Sequence, residues 1–236
     1  MEYTRQVTGE VKSSRTYNSS LRARQAADRR LALALAARDL FVELGYPATT
    51  MDAVAARARV SLKTVYNAYA SKAGLLRAVW DLSLKGDLDD APVGDRRWYI
   101  AVLSEPDPQR QLEVTAENSR IVKTRIGPML KVIRDAASGD NDLGSLWELI
   151  QTDFWANQKT IVESLADKGA LRAGLDIQRA TDLLWMLNHP DVWLLLVDRR
   201  GWSPHEWETW FAQACREQLL TPADGAPSRA RRRSAT

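Results

Sequence analysis

Four prolines set the first constraint on this chain: Pro108, Pro128, Pro190 and Pro204 each stand at the head of a run of apolar residues spaced by threes and fours. Proline fits the first turn of a helix, where its missing N–H has no intrahelical partner to lose, and it disrupts a helix elsewhere. With Pro and Gly falling between apolar runs, the spacing predicts helices near residues 96–103, 108–124, 128–137, 143–168, 176–187, 190–199 and 204–220. No alternating run is long enough for a sheet and no internal repeat is present, so the expected fold is all-α.

The N-terminal third follows the same pattern in shorter units. From about Ser20, the residues Ala26, Leu33, Ala37, Leu40, Phe41 and Leu44 recur at helical spacing until Gly45, Tyr46 and Pro47 end the run. Thr50 is placed to cap a short helix that carries Met51, Val54 and Ala55 inward, and Ser61 to cap the next, with Val65 and Tyr66. After Ala70, Ser71 and Lys72, a fourth helix opens with Leu75, Leu76, Val79 and Trp80. Residues 1–18 and 221–236 lack periodicity and are rich in hydroxyl, small and basic residues, so both are expected to be disordered. The domains expected are therefore a basic arm at 1–18, a helix-turn-helix domain at 19–80, a helical domain at 81–220 and a basic tail at 221–236. Arg15, Arg22 and Arg24 are placed to follow a DNA groove or simply to solubilise the arm.

The formal net charge of +3 conceals a strong asymmetry. Residues 1–80 carry 13 Lys or Arg against 6 Asp or Glu, residues 81–220 carry 16 against 23, and residues 221–236 carry 4 against 1. Positive charge gathered in one third of the chain points to a polyanionic partner at that end, which the acidic remainder would repel.

Between Thr49 and Lys72 two short helices are joined by a tight turn, a geometry that lays the second in the major groove of duplex DNA while the first braces it. Ser61, Lys63, Thr64, Tyr66 and Asn67 supply donors and acceptors suited to base edges and phosphates, while Val60, Val65 and Tyr69 face the core. Over about residues 17–80 the chain resembles the tetracycline-repressor (TetR) family. The resemblance rests on Gly45-Tyr46-Pro47-Ala48-Thr49-Thr50-Met51, Val54-Ala55, the run from Val60 to Tyr69, and Ser71-Lys72 with Leu75-Leu76. It implies phosphate contacts from Thr49 or Thr50, Tyr66 and Lys72, and base contacts from Lys63, Thr64 and Asn67. Arg59 departs from the Gly usual in the family's turn, at the expense of backbone strain or with the gain of a phosphate contact.

The remainder is rich in tryptophan, holding eight of the nine. The family resemblance, looser here, implies a homodimer built on the last long helices, a palindromic operator, and often a small-molecule effector. Leu184 and Leu187 on one helix, and Trp207, Trp210 and Phe211 on the last, form apolar stripes that serve either the chain's own core or a dimer interface. Trp147, Gln151 and Trp155 recur by fours on one helix face, and Asn118 and Asn188 lie in apolar helical context. Apolar walls with few polar anchors suit a small-molecule pocket.

Enzyme chemistry finds little footing. His189 and His205 are the only histidines and lack partners at metal-ligand spacing, and no Gly-rich phosphate loop or nucleophile elbow occurs. Neither cofactor nor metal is expected. Cys215, the single cysteine, is read as a small core residue. No stretch approaches the roughly 20 apolar residues of a membrane span, and a cytoplasmic location is expected. The resemblance implies a ligand-responsive repressor; a DNA-binding regulator without effector and a helical interaction module are the alternatives the residues leave open.

Overall fold

A computed structural model describes residues 10–89, 91–137 and 139–222. The chain divides into two compact units, Met1–Leu82 and Ser83–Thr236.

The first unit contains α1 (Glu10–Ala48), α2 (Met51–Arg57), α3 (Leu62–Ala68) and most of α4 (Lys72–Lys85). Leu33, Ala37, Leu40 and Phe41 of α1, Val54 of α2, Val65 of α3, and Leu75, Leu76 and Val79 of α4 are all buried. Burying a Leu or Phe in this way contributes roughly 1.5–3 kcal/mol. The helical path of α1 breaks at Gly45, whose φ of 78° is open to glycine without strain. The helix begins earlier than the periodicity indicated. Residues 10–19 contain neither Pro nor Gly, so a helix nucleated in the Ala-rich stretch extends back through them cheaply. Arg22 and Arg24 therefore stand exposed on α1 itself. Of the arm expected at residues 1–18, residues 1–9 lie outside the described residues.

The second unit is a four-helix bundle in which α6 (Pro108–Ala137), α7 (Asn141–Asp167), α8 (Ile177–Leu187) and α10 (Pro204–Leu219) each pack on two neighbours. α5 (Arg97–Ser104) lies against α6 and α7, and the short α9 (Pro190–Trp193) runs into a π-helical turn at Leu194–Arg199. Leu112, Val162, Leu165, Leu184, Trp207, Phe211 and Cys215 form its centre, where Trp207 stacks on Phe211 and meets Trp193 edge-on. Sharp starts come from caps. Asp176 accepts from the Arg179 N–H, and Ser203 and Glu206 form a reciprocal capping box around Pro204. The only strand-like pairing among the described residues is an antiparallel bridge between Leu171 and Leu220.

Two helices expected at 108–124 and 128–137 are one. Pro128 sits inside α6 because Gly127, lacking a Cβ, relieves the clash that bars most residues from helical geometry before proline. Ile126, Met129, Leu130 and Ile133 carry the buried stripe across the missing hydrogen bond. At the other end, Thr221 is tied down: its N–H donates to the Ala170 carbonyl and its hydroxyl to that of Leu171. The rest of the expected tail, from residue 223, lies outside the described residues.

Candidate functional site

The turn after α2 is a Schellman motif. The Val60 N–H donates to the Ala55 carbonyl at 3.0 Å and the Arg59 N–H to that of Ala56 at 3.2 Å. Such a turn requires a left-handed residue, and Arg59 takes it at φ 56°, the one non-glycine residue with positive φ among those described. Thr50 caps α2 through the Ala53 N–H, and Ser61 caps α3 through the Thr64 N–H. The Ser61 and Thr64 hydroxyls share a further hydrogen bond of 2.8 Å.

α3 has two distinct faces. Val65 is completely buried, and the Tyr69 ring after the last turn is buried with its hydroxyl donating to the Arg30 carbonyl of α1. On the opposite side Lys63, Tyr66 and Asn67 stand exposed at spacings of three and four, with Ser61 and Arg59 exposed just before them. Tyr66 is 48% exposed, unusual for an aromatic residue beside a core. The Lys63 and Asn67 side chains make no hydrogen bond or ion pair with other described residues.

Two of the residues assigned to phosphate turn inward. Thr49 is wholly buried, with its hydroxyl 2.8 Å from the Gly45 carbonyl and 3.1 Å from that of Leu40. Lys72, half-buried, donates to the carbonyls of Tyr46 and Thr49 at 2.9 and 3.0 Å and lies 4.2 Å from the centre of the Tyr46 ring. Both close the junction between α1 and α2, whose terminal carbonyls need donors. Of the threonine pair, only Thr50 reaches the surface.

In the second unit, the stripe chosen as an interface is core. Leu184, Trp207 and Phe211 are completely buried and Leu187 nearly so, whereas Trp210 is half-exposed and meets Trp202 edge-on. Apolar residues at helical spacing identify the buried face without telling whether the neighbour belongs to the same chain.

The proposed ligand residues separate. Asn118 donates to the Trp98 carbonyl, Trp155 donates through its indole to Asp182, and Trp147 is half-buried. Gln151 and Asn188 belong to a cluster of which the sequence reading missed the principal member. Lys123 of α6 is 4% exposed, and its ammonium donates to Asn188 Oδ1. Asn188 Nδ2 donates in turn to Gln158 Oε1 at 3.0 Å. His189 accepts at Nδ1 from the Asp191 N–H, which leaves its proton on Nε2 to face Gln151 Oε1 at 3.2 Å. Lys123 lies 5.7 Å from the Phe154 ring centre and 5.0 Å from that of Trp207. Burial pulls the lysine down to about 7, and burial followed by the nearby Lys123 lowers His189 despite the opposing Asp191 carboxylate. Lys123 was legible only as an i, i+3 partner of Ile126 on the buried face of α6; a charge at such a position was the available signal.

A short helix with a buried inner face and a polar outer face, set against another through a tight turn and followed by a separate helical bundle, defines a helix-turn-helix transcriptional regulator. The chain belongs to the TetR family: residues 33–79 match the family described as bacterial regulatory proteins, tetR family. A Bacillus subtilis (strain 168) protein, the uncharacterized HTH-type transcriptional regulator YdeS, is 30% identical over 159 residues, covering 65% of this chain and 73% of that protein. Among solved structures, a SmeT–triclosan complex aligns with a TM-score of 0.63 at 17% identity, covering 85% of this chain and 96% of that one. Native NalD, the secondary repressor of the MexAB-OprM multidrug efflux pump in Pseudomonas aeruginosa, aligns at 0.61 and 20% identity, covering 83% and 98%. These two structures share the fold.

Proposed function

We propose that this chain is a ligand-responsive repressor that binds a palindromic operator as a homodimer. The observation that carries the DNA-binding part is the exposure of Lys63, Tyr66 and Asn67 together on the outer face of α3. In this reading Lys63, Thr64 and Asn67 reach base edges, and Thr50, Ser61, Tyr66 and Arg59 meet phosphates. The groove-facing end of a seven-residue helix reads few base pairs, which favours a two-fold dimer on two half-sites. A cytoplasmic location follows from access to genomic DNA; no helix among the described residues is long and apolar enough to cross a membrane.

Repression and release are carried over from the structural likeness: NalD is described as a repressor, and SmeT was solved with triclosan. A small molecule held in the second unit would favour a conformation with weaker operator affinity, since a switch requires differential binding to two states.

The test is selection of bound duplexes from genomic fragments, followed by affinity measurements across a salt series for wild type, Lys63→Ala and Tyr66→Ala. A palindromic site, a steep salt dependence and losses in both variants are expected. Binding unaffected by either substitution would remove α3 from the interface.

A further inference from the structure

Lysine is almost never fully buried without a charged partner, because desolvating an ammonium costs far more than one neutral hydrogen bond returns. Lys123 is nevertheless enclosed, and no ion pair among the described residues includes it. The titratable group that acts on it, Cys215 on α10, is a buried thiol whose ionisation is pushed well above the usual range, so it supplies no negative charge. Among the described residues, the ammonium's one hydrogen-bond partner is the amide oxygen of Asn188.

The surroundings share this imbalance. Asn188 Oδ1 is occupied by Lys123, Gln158 Oε1 by Asn188, and Gln151 Oε1 by His189. On the donor side, Gln151 Nε2 and the indole nitrogens of Trp185 and Trp207 are buried without a hydrogen-bond partner among the described residues. Trp185 lies 4.8 Å from His189 by ring centres, and Trp207 is one of the two rings flanking the lysine. The cluster therefore has donors in surplus, its acceptors already engaged, and aromatic walls. Its chemical complement is an acceptor-rich group attached to an apolar body. Lys123 is the one buried lysine or arginine among the described residues, which suits a single negative charge and favours a carboxylate over a phosphate dianion.

We propose that Lys123 anchors an organic carboxylate with an apolar or aromatic body, the carboxylate pairing with its ammonium and the body lying against Phe154 and Trp207. This rests on the reading that the second unit takes an effector, and it names the chemical class. Asn188 holds the lysine in place until the anion supplies the missing charge.

The experiment uses the full chain and two probe pairs, phenylacetate with phenylacetamide and decanoate with decanamide, followed by tryptophan fluorescence and calorimetry. Wild type, K123M and K123Q are compared, with circular dichroism and operator affinity recorded for each. At least one carboxylate should bind wild type about tenfold more tightly than its own amide, the difference expected of one charge-assisted contact, and both variants should lose that preference. A second readout needs no variant. At pH 8 the wild-type lysine is largely neutral, so carboxylate binding should draw in close to one proton, seen as a heat that varies with the ionisation enthalpy of the buffer.

A carboxylate preference that persists in K123M and K123Q overturns the proposal, as does its absence from wild type or failure of all four probes to bind. Equal binding of acid and amide with operator release would leave the ligand-responsive reading standing without this anchor. Lysine-dependent carboxylate binding that leaves operator occupancy unchanged would keep the anchor and remove the switch.

Discussion

The Tyr69 hydroxyl donates to the Arg30 carbonyl at 2.9 Å while the Arg30 guanidinium lies 4.9 Å from the centre of the Tyr69 ring. Two residues 39 positions apart thus clamp the end of α3 to the middle of α1. Tyr69→Phe keeps the ring and its cation contact but removes the hydroxyl that ties α3 to a mid-helix carbonyl of α1, which keeps its helical donor. Urea unfolding should show a loss of about 1 kcal/mol in the first unit. An unchanged midpoint would mean that water replaces the hydroxyl at no cost.

Arg59 occupies a backbone region that an arginine enters with strain. Arg59→Gly should stabilise the domain by about 1 kcal/mol, visible as a higher melting temperature. Should Arg59 also meet a phosphate, the same variant binds operator more weakly, with a salt dependence shallower by about one ion.

Lys63 and Lys72 are predicted to separate affinity from stability. Lys63→Ala removes an exposed side chain and should weaken operator binding without moving the unfolding midpoint. Lys72→Met leaves the Tyr46 and Thr49 carbonyls without their charged donor and should lower stability by about 1–3 kcal/mol. Equal stability loss in the two variants would contradict this division of roles.

Lys123 gives stability a distinctive pH dependence. Its folded value, about 7, lies below the ordinary 10.5, so the folded chain holds fewer protons than the unfolded one between those limits. Stability should rise with pH from about 7, by up to ~1.4 kcal/mol per pH unit, while the penalty is fully present below 7. From α10 the lysine faces Cys215 and near the start of α9 His189, both uncharged in this window; α7 and α8 contribute Phe154, Gln158 and Asn188, which carry no charge. Lys123→Met should be more stable than wild type at pH 6 by ~1–3 kcal/mol, and that advantage should shrink towards pH 9. Chemical unfolding at the two pH values tests both statements.

Helical periodicity located most helices because each has one buried stripe, and the caps Thr50 and Ser61 marked where α2 and α3 begin. Pro128 misled because the preceding glycine and the packing of Met129, Leu130 and Ile133 outweigh a local rule. The polar outer face of α3 was legible because Lys63, Tyr66 and Asn67 recur at helical spacing opposite the apolar Val65. Thr49 and Lys72 lie in the matching motif yet brace it from within, a distinction that depends on side-chain direction. The Lys123 cluster draws residues from α6, α7, α8 and α10, and no one-dimensional spacing brings those together.

The bridge between Leu171 and Leu220 joins the loop after α7 to the end of α10, with the Arg172 N–H on the Leu219 carbonyl and the Thr221 N–H on that of Ala170. Closing a loop of about fifty residues carries an entropic penalty that only a largely assembled bundle can offset. This clasp should therefore form late and open first, which makes the amides of Arg172 and Thr221 natural reporters in hydrogen exchange for how firmly the bundle is shut.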